Sequence, residues 1–159
     1  MKRACSILLL AATFLLMRPA PAAADLTAFW GFSPTPASRS TRGFSAGLSM
    51  LIVGFEFEFG NTTANDLKGA PSLSTKMFNG LIQTPTGGTQ LYFTVGGGWF
   101  TEGYRDRDES NFGTNIGGGI KLKIAGPIRA RIDYRIFNLN GDPLYAHVQR
   151  FYGGVSLSF

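Results

Sequence analysis

Strict alternation of apolar and charged residues between Ile128 and Ile136 constrains this chain more than any other feature. The apolar positions are Ile128, Ala130, Ile132, Tyr134 and Ile136, and the charged positions between them are Arg129, Arg131, Asp133 and Arg135. A two-residue repeat is typical of a β-strand, in which successive side chains point to opposite faces. The segment therefore predicts a strand with one apolar face and one strongly charged face.

A second alternating segment ends the chain. Its apolar positions are Phe151, Val155, Leu157 and the terminal Phe159, and its other positions carry Arg150, Tyr152, Ser156 and Ser158. A strand that stops on a C-terminal phenylalanine is unusual for a soluble domain.

The N-terminus has the features of a cleavable signal peptide. Lys2 and Arg3 precede an apolar run over 7–17, and Ala22, Ala23 and Ala24 provide the small residues of a cleavage site. This run is well short of the roughly 20 residues of a membrane-spanning helix, which disfavours the alternative of an N-terminal anchor. We predict a signal peptide over 1–24 and a mature chain that begins at Asp25.

Removal of the signal peptide changes the charge and the chemistry of the chain. The fifteen basic residues fall to twelve against ten acidic ones, so the net charge falls from +5 to +2. No basic cluster with interleaved aromatic residues remains, which argues against nucleic-acid binding. Cys5 is lost, so disulfides and cysteine catalysis are excluded from the mature chain. No ligand spacing for a metal is present, and no cofactor is predicted.

Turn residues divide the remaining single domain, 25–159, into eight strands. We predict strands at 26–33, 43–50, 53–62, 75–84, 90–101, 112–124, 128–139 and 147–159. The predicted connections are long after odd-numbered strands and short after even-numbered ones, as in outer-membrane barrels with both termini in the periplasm. Only a closed sheet leaves no unpaired backbone in lipid. The fold prediction is an all-β, eight-stranded antiparallel up-and-down transmembrane β-barrel.

Two glycine triplets lie in the predicted fifth and sixth strands, at 96–98 and 117–119. Neither triplet precedes a helix or matches a phosphate-binding loop. We expect the two triplets to lie opposite each other in the hairpin. Glycine there would permit curvature and leave room inside the barrel for long side chains.

Alternation alone leaves open which face is the lumen. A periplasmic lipocalin-like carrier would turn its aromatic residues inward, and a membrane barrel would turn them outward. The second arrangement is favoured because small and polar residues fill the opposite face of the strong strands. The predicted lumen charges are then Glu56, Glu58, Lys121, Lys123, Arg129, Arg131, Asp133, Arg135 and Arg150.

An eight-stranded barrel is just wide enough for side chains to fill it. Its third and seventh strands lie on opposite sides, so we expect glutamates and arginines to pair across the interior as a plug. Aromatic residues at the two membrane interfaces would form girdles. The candidates are Trp30, Tyr92, Trp99, Tyr104, Tyr134 and Tyr152.

Over 25–159, the chain resembles the small eight-stranded outer-membrane barrels of the OmpA-like and OmpX-like superfamily. The closing pattern Phe151, Gly153, Val155, Leu157 and Phe159 resembles the C-terminal signal read by the barrel-assembly machinery. The resemblance implies a bacterial outer-membrane location, insertion by that machinery, contact with outer-membrane lipid and lipopolysaccharide, and a monomer. It implies no single activity, because members of this superfamily differ in function.

The leading functional hypothesis is a non-enzymatic structural or surface-interaction protein, with contacts made by the charged loop 102–111. The candidate contact residues are Tyr104, Arg105, Asp106, Arg107, Asp108 and Glu109. One alternative is a small-solute or ion channel. Another is a lipid A-modifying enzyme, which would need a nucleophile, a base and an orienting carboxylate. The single histidine, His147, is followed by Val148 and Gln149, so the His-x-Ser arrangement of the deacylases is absent.

Overall fold

The protein folds as a closed ring of eight antiparallel strands, which confirms the predicted fold class. The computed structural model describes residues 22–85, 87–105 and 107–159. The strands are β1 (Ala22–Ser33), β2 (Arg39–Met50), β3 (Val53–Thr62), β4 (Ser72–Gln83), β5 (Thr89–Tyr104), β6 (Arg107–Ala125), β7 (Ile128–Leu139) and β8 (His147–Ser158). Each strand pairs with its sequence neighbours, and β1 pairs with β8 to close the ring. Within the described residues, no helix is long and apolar enough to span a membrane.

The strands with the clearest alternation have the bounds that the sequence predicts. These are β3 and β7, each of which begins directly after a two-residue turn. The fourth strand, whose alternation is weakest, begins three residues before its predicted start and ends at Gln83. The differences arise where polar residues continue the backbone ladder beyond the apolar pattern.

The predicted charged loop 102–111 is wrong. Strand β5 continues to Tyr104 and strand β6 begins at Arg107, so only two residues of the chain separate the strands. Glu102 faces Glu109 across this ladder, and the hydroxyls of Thr101 and Ser110 lie 2.8 Å apart. Backbone pairing does not require an apolar face, so the hydrophobic pattern ends earlier than the hairpin does. The predicted alternation of loop lengths consequently fails at this connection.

The predicted pairing of the glycine triplets is also wrong. Gly97 pairs with Thr114 and Gly118 pairs with Phe93, because the turn lies closer to β5 than the sequence suggested. Individual glycines nevertheless leave space for neighbouring side chains, as predicted. A Cβ atom on Gly119 would lie 2.7 Å from Cζ of Tyr92, and one on Gly117 would lie 2.8 Å from Cγ of Arg135. These glycines make room for side chains of neighbouring strands.

The apolar face of the barrel points outward. On β3, Phe55 and Phe57 are 55% and 45% exposed, whereas Glu56 and Glu58, which alternate with them, are 3% and 0% exposed. The same alternation of exposed and buried residues runs through β2 to β8. The inward aromatic lining that a lipocalin-like carrier requires is therefore not the arrangement of the described strands.

The outer half of the lumen holds an apolar cluster, which the sequence reasoning missed. Its members are Leu73, Met77, Phe100, Phe137, Leu139 and Val148, with Tyr145 packed against them. A signal was present in the sequence, because Phe137 and Leu139 continue the positions of Arg135 rather than those of Ile136. The lumen is thus ionic in one layer and apolar in the next.

The N-terminal end of β1 lies three residues before the predicted mature start. Ala24 exchanges backbone hydrogen bonds of 2.8 and 3.0 Å with Phe159, which brings the two ends of the barrel seam together. Residues 1–21, including Cys5, lie outside the described residues. The signal peptide remains a prediction.

The apolar lumen cluster yields a first prediction. Phe100→Ala should lower the free energy of unfolding by about 3–5 kcal/mol, because it removes a buried ring and leaves a cavity. Phe93→Ala on the same strand removes a half-exposed ring on the outer face and should cost about 1.5–3 kcal/mol, through the transfer term alone. Urea unfolding in lipid vesicles measures both values. Equal losses would show that Phe100 does not pack in a closed interior.

Candidate functional site

The middle of the lumen holds three arginines and three carboxylates. Glu56 and Glu58 come from β3, Arg131, Asp133 and Arg135 from β7, and Arg150 from β8. Each of these residues is at most 3% exposed. They converge because they occupy the inward positions of strands that lie on opposite sides of the ring.

Arg131 crosses the lumen to Glu56. Its Nη1 atom forms an ion pair with Oε2 of Glu56, and its Nη2 atom lies 3.2 Å from Oε1. The same guanidinium donates to Asp133 over 2.9 Å and, through Nε, to the hydroxyl of Tyr92 over 2.7 Å. The two-point contact with Glu56 fixes both the distance and the orientation of the two walls.

Arg135 connects all three carboxylates. Its Nη2 atom lies 2.7 Å from Glu56, its Nε atom 3.0 Å from Asp133, and its Nη1 atom 3.2 Å from Glu58. The contact with Glu58 is an ion pair without good hydrogen-bond geometry, since Nη1 has no hydrogen-bond partner among the described residues. Arg135 is thus the centre of the network.

Arg150 and two tyrosines complete the layer. Arg150 lies 3.2 Å from Glu58 and donates to the Thr75 hydroxyl over 3.1 Å. Tyr152 donates to Glu58 over 2.7 Å, and Tyr92 donates to Asp133. Both tyrosines are buried in the lumen, so their assignment to the interfacial girdles was wrong. The sequence did contain a signal for this placement. Tyr92 lies between the outward residues Leu91 and Phe93, and Tyr152 follows the outward residue Phe151, so the two-residue repeat puts both tyrosines on the inward face.

The ionic layer is electrically neutral. Its three cations, Arg131, Arg135 and Arg150, balance its three anions, Glu56, Glu58 and Asp133. Burying an ion costs several kcal/mol unless a partner of opposite charge and further hydrogen bonds compensate for the lost water. Balance within the layer is therefore what allows so many charges in so narrow a barrel.

The remaining predicted lumen charges lie nearer the end of the barrel where β1 begins and β8 ends. Lys121 is buried and forms a 2.5 Å ion pair with Asp25, a partner that the sequence reasoning did not identify. Arg129 is half-buried and reaches Gln90 at 3.5 Å. Lys123 is exposed, so its placement in the lumen network was wrong. It pairs with Arg129 across β6 and β7 at the rim, where the ring opens to solvent.

The outer rim carries most of the residues that were assigned to a contact loop. Arg105 lies in the turn, with its guanidinium 5.3 Å from the Tyr104 ring, and Asp106 lies outside the described residues. Glu109 accepts hydrogen bonds from Asn111 and from the backbone of Asp142. A cleft of about 540 Å³ separates the hairpin tip from the β7–β8 connection. Its lining includes Tyr104, Arg107, Asp108, Glu109 and Asp142.

Glu102 ties the β7–β8 connection to this rim. It lies beyond Trp99 on β5, and its carboxylate accepts a 2.9 Å hydrogen bond from the backbone N–H of Leu144. Burial raises the pKa of Glu102 above its usual value, and the nearby carboxylate of Glu109 raises it further, against the lowering effect of that hydrogen bond. The contact fixes the connection to the hairpin.

The C-terminal residues and the histidine lie on the outside of the barrel. Phe151, Val155, Leu157 and Phe159 are all exposed on the outer face of β8. His147 is exposed at the first position of β8, where it pairs with Asn138. In the part of the chain that the structure describes, no group of three or more His, Cys, Asp or Glu residues could hold a metal ion.

Comparison with known proteins identifies the fold. No protein-family model matches the sequence, and no curated protein matches it. The N-terminal β-barrel domain of Pseudomonas aeruginosa OprF is 17% identical with a TM-score of 0.63, over 86% of this chain and 97% of that one. Neisserial surface protein A is 14% identical with a TM-score of 0.66, over 87% and 96%. The outer membrane enzyme PagL is 12% identical with a TM-score of 0.53, over 84% and 98%.

These likenesses confirm the predicted resemblance at the level of the fold. The chain has the eight-stranded architecture of bacterial outer-membrane barrels. Sequence identities this low show the fold alone, and one fold carries several functions. Function must therefore be argued from the surfaces and the lumen of this chain.

The network gives a second prediction, based on its charge balance. Arg135→Met leaves two cations against three anions and should cost about 3–5 kcal/mol of folding free energy. Glu58→Gln alone should also destabilise the barrel, but the double variant restores balance and should cost less than the sum of the two. Urea unfolding of the four proteins in a double-mutant cycle measures the coupling.

Lys123→Met is the matched control for this cycle. It removes an exposed cation from the rim of the barrel, and it should change the free energy of unfolding by less than about 0.5 kcal/mol. Strict additivity of Arg135→Met and Glu58→Gln would contradict the network.

Proposed function

We propose that this protein is an integral outer-membrane β-barrel with a plugged lumen and a non-enzymatic structural or surface-interaction role. The observation that carries the proposal is the inverted distribution of apolar side chains. Among the described residues, thirty large hydrophobic side chains are exposed, against twelve hydrophobic side chains that are buried. A soluble monomer rarely exposes contiguous apolar surface on this scale, whereas a barrel in lipid requires it.

The lumen supports a plug rather than a channel. The neutral ionic layer spans the ring from β3 to β7, and the apolar cluster fills the space on its outer side. At the periplasmic side a cavity of about 10 Å³ lies among Asp25, Glu56, Gln83 and Lys121, which is the size of a single water molecule. Hydrated solutes have no room beside these side chains.

The enzyme alternative has weaker support from the site. PagL shares the fold, but catalysis would require groups that can exchange protons with a substrate. His147 is exposed and pairs with Asn138 at the rim, and the sequence after it lacks the serine of a deacylase. The buried carboxylates are engaged by arginines and tyrosines within the lumen. We therefore favour a non-catalytic role.

The outer surface supports the remaining partners of the proposal. The exposed belt would contact outer-membrane lipid, and the rim around Tyr104 and Glu109 would face lipopolysaccharide or a surface ligand. The outward apolar residues of β8, which end at Phe159, are accessible to the barrel-assembly machinery during insertion. Because the ring closes on itself without unpaired strand edges, a monomer suffices for stability.

Membrane integration gives the third prediction. The mature chain, from Asp25, should fold only with detergent micelles or lipid vesicles, because its exposed apolar belt must leave water. Cell fractionation shows whether the protein is recovered with the membranes. Circular dichroism of the purified chain, in buffer with and without detergent, shows whether folding requires an apolar phase. A folded, monomeric protein in plain buffer would refute the proposal.

The plug gives the fourth prediction. Planar bilayers that contain the wild-type protein should show no stable conductance steps. Replacing Arg131 and Arg135 together with Phe100 and Phe137 by alanine removes large side chains from both layers of the lumen, and this variant should show discrete, reproducible steps. A Lys123→Ala variant serves as the control and should remain silent. Regular steps from the wild-type protein would favour the channel alternative.

A further inference from the structure

Two cations lie on the outward face of the barrel wall. Arg42 on β2 and Lys76 on β4 are exposed and share the outward positions of Phe44 and Phe78. Among the described strand residues, the only other charged outward position is Asp108, at the outer end of β6. These two cations therefore require an explanation that the lumen network does not provide.

Both cations mark the outer edge of the apolar belt. On the periplasmic side of Arg42 the outward residues are Phe44, Ala46, Leu48 and Met50, and on that side of Lys76 they are Phe78, Gly80 and Ile82. In the other direction the next outward residues are Ser40 and Ser74. On β3, between them, the outward face changes from Phe59 to Asn61 at the same level. A charge at this depth costs only about 0–1 kcal/mol, whereas one at mid-membrane costs more.

The two tryptophans of the chain flank the cations. Trp30 pairs with Arg42 across β1 and β2, and Trp99 pairs with Lys76 across β4 and β5. They are 74% and 67% exposed on the outer face. Tryptophan is enriched at the depth of lipid headgroups, so the cations lie at that depth as well.

A recess in the wall adjoins Arg42. It has a volume of about 460 Å³ and is lined by Arg42 and Asn61 together with Phe29, Gly43, Phe44 and Phe59. Polar groups thus form its outer edge, and aromatic rings form its deeper part. This is the arrangement that an amphiphile with an anionic head and a hydrocarbon tail would fit.

The cations are close enough to share a headgroup. Two strand spacings and a two-residue offset place their Cα atoms about 12 Å apart, within reach of two long side chains that converge. Within the described residues neither cation forms an ion pair, and the outward face of β1 to β5 carries no carboxylate. Arginine can bind phosphate at two points, and lysine adds a point charge.

We propose that Arg42 and Lys76 form a binding site for an anionic, phosphate-bearing lipid of the outer leaflet, whose chains lie against Phe44 and Phe59. The inference rests on the proposed membrane orientation. A lipid is favoured over free phosphate because Arg42 borders a recess lined by aromatic rings, which a soluble anion would leave unfilled.

Tryptophan fluorescence tests this site directly, because Trp30 and Trp99 are its neighbours and the chain has no other tryptophan. The mature chain is reconstituted in phosphatidylcholine bilayers with increasing fractions of either dibrominated phosphatidic acid or dibrominated phosphatidylcholine. Bromine quenches tryptophan on contact. We expect the wild-type protein to prefer the phosphatidic acid by roughly tenfold, and the Arg42→Gln/Lys76→Gln variant to show almost no preference.

The matched control is Lys68→Gln/Lys123→Gln, which removes two exposed cations elsewhere and gives the same net charge. Its lipid preference should equal that of the wild-type protein. An equal loss in this control, or equal quenching of the wild-type protein by both lipids, would overturn the site. A preference abolished by millimolar inorganic phosphate would assign the cations to a soluble anion and overturn the lipid assignment. Absence of quenching by brominated phosphatidylcholine would instead refute the membrane orientation.

Discussion

The structure depends on the contact of Glu56 with Arg131 and Arg135 across the lumen. Each of these groups would be too costly to bury alone, so the two walls of the barrel must lie where the charges can meet. This requirement couples the register of β3 to that of β7, which is on the other side of the ring and shares no backbone hydrogen bonds with it. Tyr92 and Tyr152 supply the hydrogen bonds that the arginines leave unfilled on Asp133 and Glu58.

The lumen combines two ways of filling a narrow barrel. Ion pairs specify geometry, because a shifted register would leave a charge without its partner. The apolar layer around Phe100 and Phe137 needs no such pairing and contributes through packing alone. The two layers touch where the guanidinium of Arg150 lies 4.4 Å from the centre of the Phe137 ring. Side-chain packing is thus continuous from the ionic layer to the apolar layer, and the proposed plug depends on both.

The sequence predicted the architecture because membrane strands obey a period of two without interruption. The bounds of β3 and β7 could be predicted to the residue, since a tight turn precedes each and the alternation persists throughout. Period alone could not set the depth of a side chain along the axis, so Lys123 and Arg129 were grouped with Arg131 although they lie at the rim. The two-residue repeat also could not show where the β5–β6 ladder ends. Glu102 and Glu109 pair through their backbone groups, which every residue has, so their side chains give no signal of the pairing. Asp25 was missed because its partner, Lys121, is distant in the chain.

The two faces of each strand carry independent chemistry. On β4, Lys76 points outward while Thr75 and Met77 on either side of it point into the lumen, so a substitution on the outer face leaves the lumen side chains unchanged. The ionic layer is neutral and contributes no net charge that a partner could sense at a distance. The outer end of the barrel carries two kinds of charged surface: cations alone at the belt edge on β2 and β4, and charges of both signs, Arg107 beside Asp108 and Glu109, on the β5–β6 hairpin. A wall that carries only cations attracts an anionic headgroup more strongly than a hairpin on which arginine lies beside carboxylates, so the proposed lipid site belongs to the wall of β2 to β4 rather than to the hairpin.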